Sequence, residues 1–237
     1  MLTTRLAAKA AHVTAIEIDR DLAADLRLQL PAVDVVIADV LEVDFAPFLD
    51  AGPVRVAGNL PYNISSPILF KLLGHPKRGQ PPFSALTQNV KRGQPPFLDA
   101  TLMLQREVAD RLVAKPGTKD YGVLTIFTAA RADVRRVLTL PPGAFRPAPK
   151  VHSAVVTLTF VPSRVPPELD ATFEEMVRGM FTQRRKTLGN ALRPFADTRG
   201  RDVLPALAAA GIDPSARPET LPLDALVRLA TVFGPKP

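Results

Sequence analysis

A short polar and aromatic cluster, Asn59-Leu60-Pro61-Tyr62, is the part of this 237-residue chain best suited to chemistry. The apolar run before it predicts a strand that ends at the cluster. The amino nitrogen of adenine or cytosine is a poor nucleophile, because its lone pair is delocalised into the ring. The Asn59 side-chain oxygen and a main-chain carbonyl held by Pro61 would accept its two hydrogens, bend the nitrogen toward tetrahedral geometry and aim the lone pair at an electrophilic methyl group. Tyr62 would stack on the ring, so the cluster predicts chemistry on an amino-bearing base.

Strands and helices alternate in the first part of the chain. Residues 13–19 and 33–39 are apolar runs that end in acids, and the segment between them has helical spacing. This alternation predicts an α/β fold with a doubly wound parallel sheet, whose ligands bind at the carboxyl ends of the strands. Glu17, Asp39 and Asn59 all lie at such ends. An acid there can simply cap the next helix, but three polar groups in register favour a site.

The composition changes after the Pro-rich stretch at residues 161–167, which predicts a linker. The remainder has helical periodicity, and its breaks predict a small all-helical domain. We therefore expect one domain over residues 1–163 and a second over residues 164–237. The breaks are Pro194, Gly211, Pro214, Pro218 and Pro222.

A basic heptapeptide occurs twice, at residues 77–83 and again at residues 91–97. Its Pro and Gly content predicts an exposed loop over residues 75–98, between a helix and a strand. The loop is either an arm that contacts RNA or a local duplication that the fold tolerates.

The net charge of +7 and the pI near 10 fit a polyanionic partner, although such an excess is also common on proteins that bind nothing charged. The absence of cysteine excludes disulfides, thiolate catalysis and cysteine-ligated zinc, and three scattered histidines predict no metal site. No apolar stretch approaches the ~20 residues that span a bilayer. The acid-free start resembles a transit peptide but continues into a strand, so we expect a cytoplasmic protein. We also expect a monomer without a membrane partner.

Together the motifs identify a resemblance that covers nearly the whole chain. They are Glu17-Ile18-Asp19, Asp39 and residues 59–67, 104–112, 145–154 and 184–188. The chain resembles the ribosomal RNA adenine dimethyltransferase family, in its bacterial small-subunit type. The resemblance implies a Rossmann-like class I methyltransferase sheet, a helical RNA-binding domain and S-adenosylmethionine as methyl donor. The implied partner is small-subunit (16S) ribosomal RNA, in which two adjacent adenosines near the 3′ end become N6,N6-dimethyladenosine.

The resemblance also implies roles for individual residues. Glu17 would bind the ribose hydroxyls of the cofactor, and Asp39 would accept a hydrogen bond from the amino group of its adenine. Asn59 would be a third cofactor-binding residue, and with the carbonyls of Leu60 and Pro61 it would hold the target amino group. The target base would lie between Tyr62 and Phe145, although these aromatic rings can also serve only to cover the sheet edge and to pin a loop. RNA contacts are expected from Arg146, Lys150, Arg184, Arg185 and Lys186.

The basic run at residues 184–186 is predicted to open a helix that continues through Leu188 and Leu192. Binding of RNA phosphates is the functional interpretation of this run, and a solvated helix face is the alternative.

One departure from the family pattern concerns the start of the chain. Family members carry a strand and a glycine-rich turn before the helix that begins here at Leu2, and that turn accommodates the methionine part of the cofactor. We expect a misplaced or truncated start. The alternative is a non-catalytic RNA-binding or ribosome-assembly protein with a degraded cofactor site. Methylation of large-subunit RNA, as in antibiotic-resistance methylases, fits the motifs at residues 145–154 and 184–188 less well.

Overall fold

The computed structural model describes residues 2–49, 52, 54–74 and 97–235, and they adopt an α/β fold. Two compact units divide the chain: residues 1–54 with 63–89, and residues 55–62 with 90–237. The first unit contains α1 (Leu2–Ala7), β1 (Thr14–Glu17), α2 (Arg20–Gln29), β2 (Asp34–Ile37), α3 (Ala46–Leu49) and α4 (Ser65–Leu72).

The strands β1 and β2 of the first unit form a parallel pair, in register from Thr14 opposite Asp34 to Glu17 opposite Ile37. Helix α2 connects them, and the Asp19 side chain caps its N-terminus by accepting the N–H groups of the first turn. The helix buries Ala23 and Leu26 against Val33, which precedes β2, and Val35, which lies within it. Burial of each large aliphatic side chain contributes roughly 1.5–3 kcal/mol. The predicted strand–helix–strand order is confirmed in this part of the chain.

The second unit holds the remaining described elements around a four-stranded sheet. They are β3 (Val54–Asn59, whose first residue belongs to the other unit), β4 (Phe97–Gln105), α5 (Arg106–Leu112), α6 (Val123–Arg131), β5 (Ala132–Leu140), β6 (Ser153–Phe160), α7 (Asp170–Thr182), α8 (Leu188–Ala191), α9 (Arg193–Asp197), α10 (Val203–Ala209) and α11 (Leu223–Phe233). Short 3₁₀ turns cover Pro142–Ala144, Pro167–Leu169 and Pro218–Thr220.

The strand order in this sheet is β3-β4-β6-β5, and β6 is antiparallel to both of its neighbours. The predicted parallel arrangement therefore does not hold for β6. Parallel neighbours need a crossover connection, usually a helix, whereas residues 141–152 join β5 to β6 with no α-helix between them. Strand β5 was also missed, because its two adjacent arginines and exposed Val137 and Leu138 interrupt the alternation of polar and apolar residues.

Strand β4 begins at Phe97, the last residue of the second heptapeptide copy. Phe97 is buried, and its ring lies 5.8 Å from that of Phe160. The predicted loop over residues 75–98 is thus wrong at residues 97 and 98, because an aromatic side chain at this position contributes to the core of the sheet. The rest of the predicted loop, residues 75–96, lies outside the described residues.

Residues 170–233 are mainly helical and share one unit with the four-stranded sheet. The rings of Phe127 in α6 and Phe173 in α7 lie 6.2 Å apart, and both side chains are fully buried. The two compact units divide the chain at other positions, and the predicted domain boundary between residues 163 and 164 stays a prediction. None of the helices in the described part of the chain is long and apolar enough to cross a membrane.

Candidate base-binding cleft and cofactor site

An open cleft of about 330 Å³ lies at the end of β3, within the second unit. It is lined by Asn59, Leu60, Pro61, Tyr62, Met103, Phe145, Pro147 and Pro149. The structure therefore brings together all five residues that the sequence predicts for the target-base site, although Phe145 is far from the others in the chain. A cleft of this size, with mostly apolar walls and few polar groups, is within the range of sites for small molecules.

The end of β3 is held in place by Leu60. Its main-chain N–H donates to the Met103 carbonyl on β4 at 2.9 Å, and its side chain is buried. Gly58 provides the space for that side chain, since a Cβ there would lie 3.3 Å from a Leu60 methyl carbon. The residues on either side, Asn59 and Pro61, are exposed. Leu60 thus anchors the motif, and its two neighbours face solvent at the cleft.

The Tyr62 ring is fixed at its far end. Its hydroxyl lies 2.6 Å from the Ser153 hydroxyl at the start of β6, a hydrogen bond between residues 91 positions apart. Ser153 is completely buried, whereas Tyr62 is partly exposed. A bond between a buried partner and the phenol tip restricts the ring orientation, while the ring itself remains at the cleft.

Phe145 enters the cleft from the connection between β5 and β6. Its N–H donates to the Pro142 carbonyl at 3.2 Å, and Pro147 and Pro149 follow it in the cleft wall. Prolines fix their own φ angles and stiffen the segment that carries the ring. Arg146 and Lys150, the predicted RNA contacts on this segment, are both exposed.

The two predicted cofactor acids, Glu17 and Asp39, lie near each other at the carboxyl edge of the parallel pair in the first unit. Glu17 ends β1, and its main-chain carbonyl accepts the Ala38 N–H at 3.0 Å. Its side chain accepts the Asp19 N–H at 3.0 Å, and the Asp39 side chain accepts the Leu41 N–H at 2.8 Å. Carboxylates are acceptors, so this pair suits the hydroxyl and amino donors of an adenosine. Asn59 belongs to the other unit, and its place beside these acids stays a prediction.

The basic run at residues 184–186 does not open a helix, and this prediction is wrong. Helix α7 ends at Thr182, and the run forms a turn that the Lys186 N–H closes by donating to the Gln183 carbonyl at 2.8 Å. Arg184 is paired with the Glu219 carboxylate at 2.8 Å and donates to the Lys119 carbonyl at 3.2 Å. Arg185 and Lys186 are exposed.

The sequence motifs assign no role to two residues, one that lines the cleft and one that supports it. Met103, on β4, lines the cleft. Ser153 lies within the motif at residues 145–154 and forms a hydrogen bond with the Tyr62 hydroxyl. Its position as the first residue of a Val- and Thr-rich strand was a usable signal, because a serine that is buried there needs a hydrogen-bond partner.

Comparisons with known proteins agree on one family. The family model described as ribosomal RNA adenine dimethylase matches residues 1–232. The protein named ribosomal RNA small subunit methyltransferase A from Chromobacterium violaceum is 41% identical over 232 residues, which cover 97% of this chain and 79% of the relative. The protein of the same name from Syntrophotalea carbinolica is 42% identical, covering 99% and 82% of the two chains.

Two solved structures share the fold. The 23S rRNA methyltransferase ErmE superimposes with a TM-score of 0.66 at 28% identity, covering 98% of this chain and 86% of its own. A dimethyladenosine transferase from Plasmodium falciparum gives a TM-score of 0.69 at 22% identity, covering 96% and 84% of the two chains. The second likeness concerns the fold alone.

Proposed function

This chain belongs to the ribosomal RNA adenine dimethylase family, and we propose that it dimethylates N6 of two adjacent adenosines near the 3′ end of small-subunit (16S) ribosomal RNA. The observation that carries the proposal is the cleft in which Asn59, Tyr62 and Phe145 come together. Its polar and aromatic groups match the needs of a flipped adenine. Within the proposal, the α/β part is a Rossmann-like methyltransferase sheet, the C-terminal helices bind RNA, and the reaction takes place in the cytoplasm.

S-adenosylmethionine, when bound, supplies an electrophilic methyl group on a sulfonium. Glu17 would hold the ribose hydroxyls of this cofactor through its carboxylate, whose orientation is set by the Asp19 N–H. Asp39 would accept from the adenine amino group. Both acids lie at the carboxyl end of a parallel strand pair, the usual ligand-binding edge of α/β sheets.

The target base needs orientation rather than acid or base catalysis. The Asn59 side-chain oxygen and the carbonyls of Leu60 and Pro61 would accept the two amino hydrogens and direct the nitrogen lone pair. Correct alignment alone can supply several kcal/mol of the barrier reduction. Tyr62 and Phe145 would hold the two faces of the ring, and such stacking contributes ~1–3 kcal/mol per base. The proton can leave after the methyl group has been transferred.

Methylation of large-subunit RNA is the competing substrate within the same fold. The likeness to ErmE supports it at 28% identity, whereas the relatives named as small-subunit methyltransferases are 41% and 42% identical. The motifs around Phe145 and Arg184 also favour the small-subunit branch. We therefore propose 16S RNA as the substrate.

Replacement of Asn59 tests the proposed mechanism. Asn59→Ala removes the amide oxygen but leaves the aromatic walls, so we expect methyl transfer from labelled cofactor to immature small subunits to fall by at least about 10²-fold. Binding of RNA should change by less than about twofold, because phosphate contacts dominate that affinity.

The matched control is Asn190→Ala, an exposed asparagine whose side chain donates to the Thr187 hydroxyl at 3.2 Å. It should transfer methyl groups at the wild-type rate. Equal activity of Asn59→Ala and wild type would contradict the mechanism. A wild-type chain that binds RNA but transfers no methyl group would favour the non-catalytic RNA-binding alternative.

A further inference from the structure

Lys71, in helix α4, makes an unusually complete set of contacts with the loop that follows β2. Its ammonium nitrogen lies 3.0, 2.7 and 2.5 Å from the carbonyl oxygens of Val40, Leu41 and Val43. An ammonium has three N–H donors, so these three carbonyls match its full capacity. The nitrogen also lies 4.8 Å from the centre of the Phe45 ring, which is buried. Lys71 therefore binds the main chain of one specific loop conformation.

The same loop carries Asp39. The Asp39 side chain accepts the Leu41 N–H at 2.8 Å, and its main-chain carbonyl accepts the N–H groups of Glu42 and Val43 at 2.9 and 3.1 Å. Leu41, Glu42 and Val43 thus donate their N–H groups to Asp39. The carbonyls of Val40, Leu41 and Val43 accept from Lys71. The acid and the lysine are connected through a single hydrogen-bonded turn. A substitution at Lys71 is therefore expected to change the position of the Asp39 carboxylate.

The charge of this lysine is partly removed from water. Burial lowers the pKa of Lys71, while the nearby carboxylates of Glu42, Asp39 and Asp44 act in the opposite direction. An apolar side chain of similar length would avoid that desolvation cost but would leave three loop carbonyls without this donor. What the lysine adds is therefore control of the loop shape rather than burial of apolar area.

We propose that Lys71 is a positioning residue for the cofactor site, which fixes the loop at residues 39–43 so that the Asp39 carboxylate faces the adenine amino group of S-adenosylmethionine. This inference rests on the proposed function, in which Asp39 binds that group. Helix α4 begins three residues after Tyr62 in the sequence. One short stretch of chain thus carries both the base-binding motif and the residue that sets the cofactor loop.

The first experiment uses the ligand-free protein and compares three variants. Lys71→Met keeps the apolar stem without donors, Lys71→Arg keeps the charge and the donors, and Lys9→Met changes an exposed lysine of the same unit. Hydrogen exchange of the Leu41, Glu42 and Val43 amides should become about tenfold faster in Lys71→Met. Lys71→Arg should restore part of the protection, and Lys9→Met should match wild type.

The second experiment measures binding of S-adenosylhomocysteine by calorimetry and the steady-state kinetics of methyl transfer. We expect Lys71→Met to raise the dissociation constant and the cofactor KM by about tenfold, with kcat at saturating cofactor within about twofold of wild type. A purely structural role would lower the melting temperature without this division between KM and kcat.

Unchanged amide exchange in a folded Lys71→Met protein would overturn the inference, as would an unchanged dissociation constant. If Lys71→Met fails to fold, Lys71→Gln is judged by the same two criteria. Failure of the wild-type protein to bind S-adenosylhomocysteine would instead refute the proposed cofactor. The exchange experiment still decides whether Lys71 fixes the loop in that case.

Discussion

At the scale of single residues, the contact between Tyr62 and Ser153 links the aromatic wall of the cleft to a buried strand. A phenol that only stacked on a base would not need a partner at its tip. The bond fixes the tip of the phenol and so limits the tilt of the long axis of the ring, which narrows the range of angles at which a base can bind. In the proposed reaction, that angle determines where the target nitrogen points.

A double-mutant cycle tests whether this bond orients the base. Tyr62→Phe and Ser153→Ala each remove the bond, so each should lower kcat/KM for methyl transfer by about tenfold and the unfolding free energy by about 1 kcal/mol. The double variant should be no worse than either single variant, because both changes remove the same interaction. The control is Thr159→Ser, an exposed position on the same strand. Losses of activity that simply add would show that the two residues act independently.

At the scale of elements, the turn between α7 and α8 places three consecutive basic residues in different surroundings. Arg184 bonds to Glu219 and to the Lys119 carbonyl, so it joins three segments of the second unit. The Glu219 carbonyl in turn accepts the Gly117 N–H at 2.7 Å. Arg185 and Lys186 are exposed and remain the better candidates for RNA phosphates.

This difference predicts that replacing Arg185 affects RNA binding, whereas replacing Arg184 affects stability. Arg185→Ala should weaken RNA binding for every sequence and reduce the slope of log affinity against log salt by about 1. Arg184→Ala should lower the unfolding free energy by less than about 1 kcal/mol, because its pair with Glu219 is partly exposed to solvent. Its salt slope should stay close to wild type. Filter binding at several salt concentrations and urea unfolding of both variants measure these effects, and equal salt slopes would contradict this difference.

Elements that are determined by neighbouring residues could be predicted from the sequence, whereas those determined by distant contacts could not. The strand–helix–strand order of residues 14–37 follows from apolar periodicity and from the Asp19 cap, both of which are local. The turn at residues 184–186 was misread, because a basic run beside leucines also has helical spacing. The bond that holds Arg184 outside a helix involves a residue 35 positions away. Ser153 was missed for the same reason, since its partner is 91 positions distant.

At the scale of the whole molecule, one buried phenol links distant parts of the chain and is expected to titrate at high pH. The chain has two tyrosines, and the Tyr121 hydroxyl donates to the Leu221 carbonyl at 2.7 Å, 100 positions along the chain. Its side chain is buried. Burial, and to a smaller extent the negative charge of Asp224, raises the pKa of Tyr121 to about 12. The folded protein therefore favours the neutral phenol.

This shift predicts how stability depends on alkaline pH. An unfolded tyrosine titrates near pH 10, so the contribution of Tyr121 should be complete below about pH 10 and lost as the pH rises through about 12. The loss should amount to at most about 3 kcal/mol. Tyr121→Phe should be about 1 kcal/mol less stable near neutral pH, from the lost hydrogen bond, and should lack this part of the pH dependence.

Urea unfolding of both proteins over this pH range gives the comparison, and the tyrosinate absorbance of a Tyr62→Phe background isolates the Tyr121 titration. Curves that stay parallel above pH 10 would refute the assignment.

The prolines in the cleft wall bear on how the dimethylated product of the proposed reaction would be released. Pro61, Pro147 and Pro149 line the cleft and have no N–H groups, so their main chain can accept hydrogen bonds but cannot donate them. An unmodified adenine amino group offers two hydrogens to such a wall, the monomethylated group offers one, and the dimethylated group offers none. Each transfer therefore removes part of what retains the base. In the proposed reaction, we therefore expect the dimethylated base to be held least tightly and to leave the cleft without a conformational change of the protein.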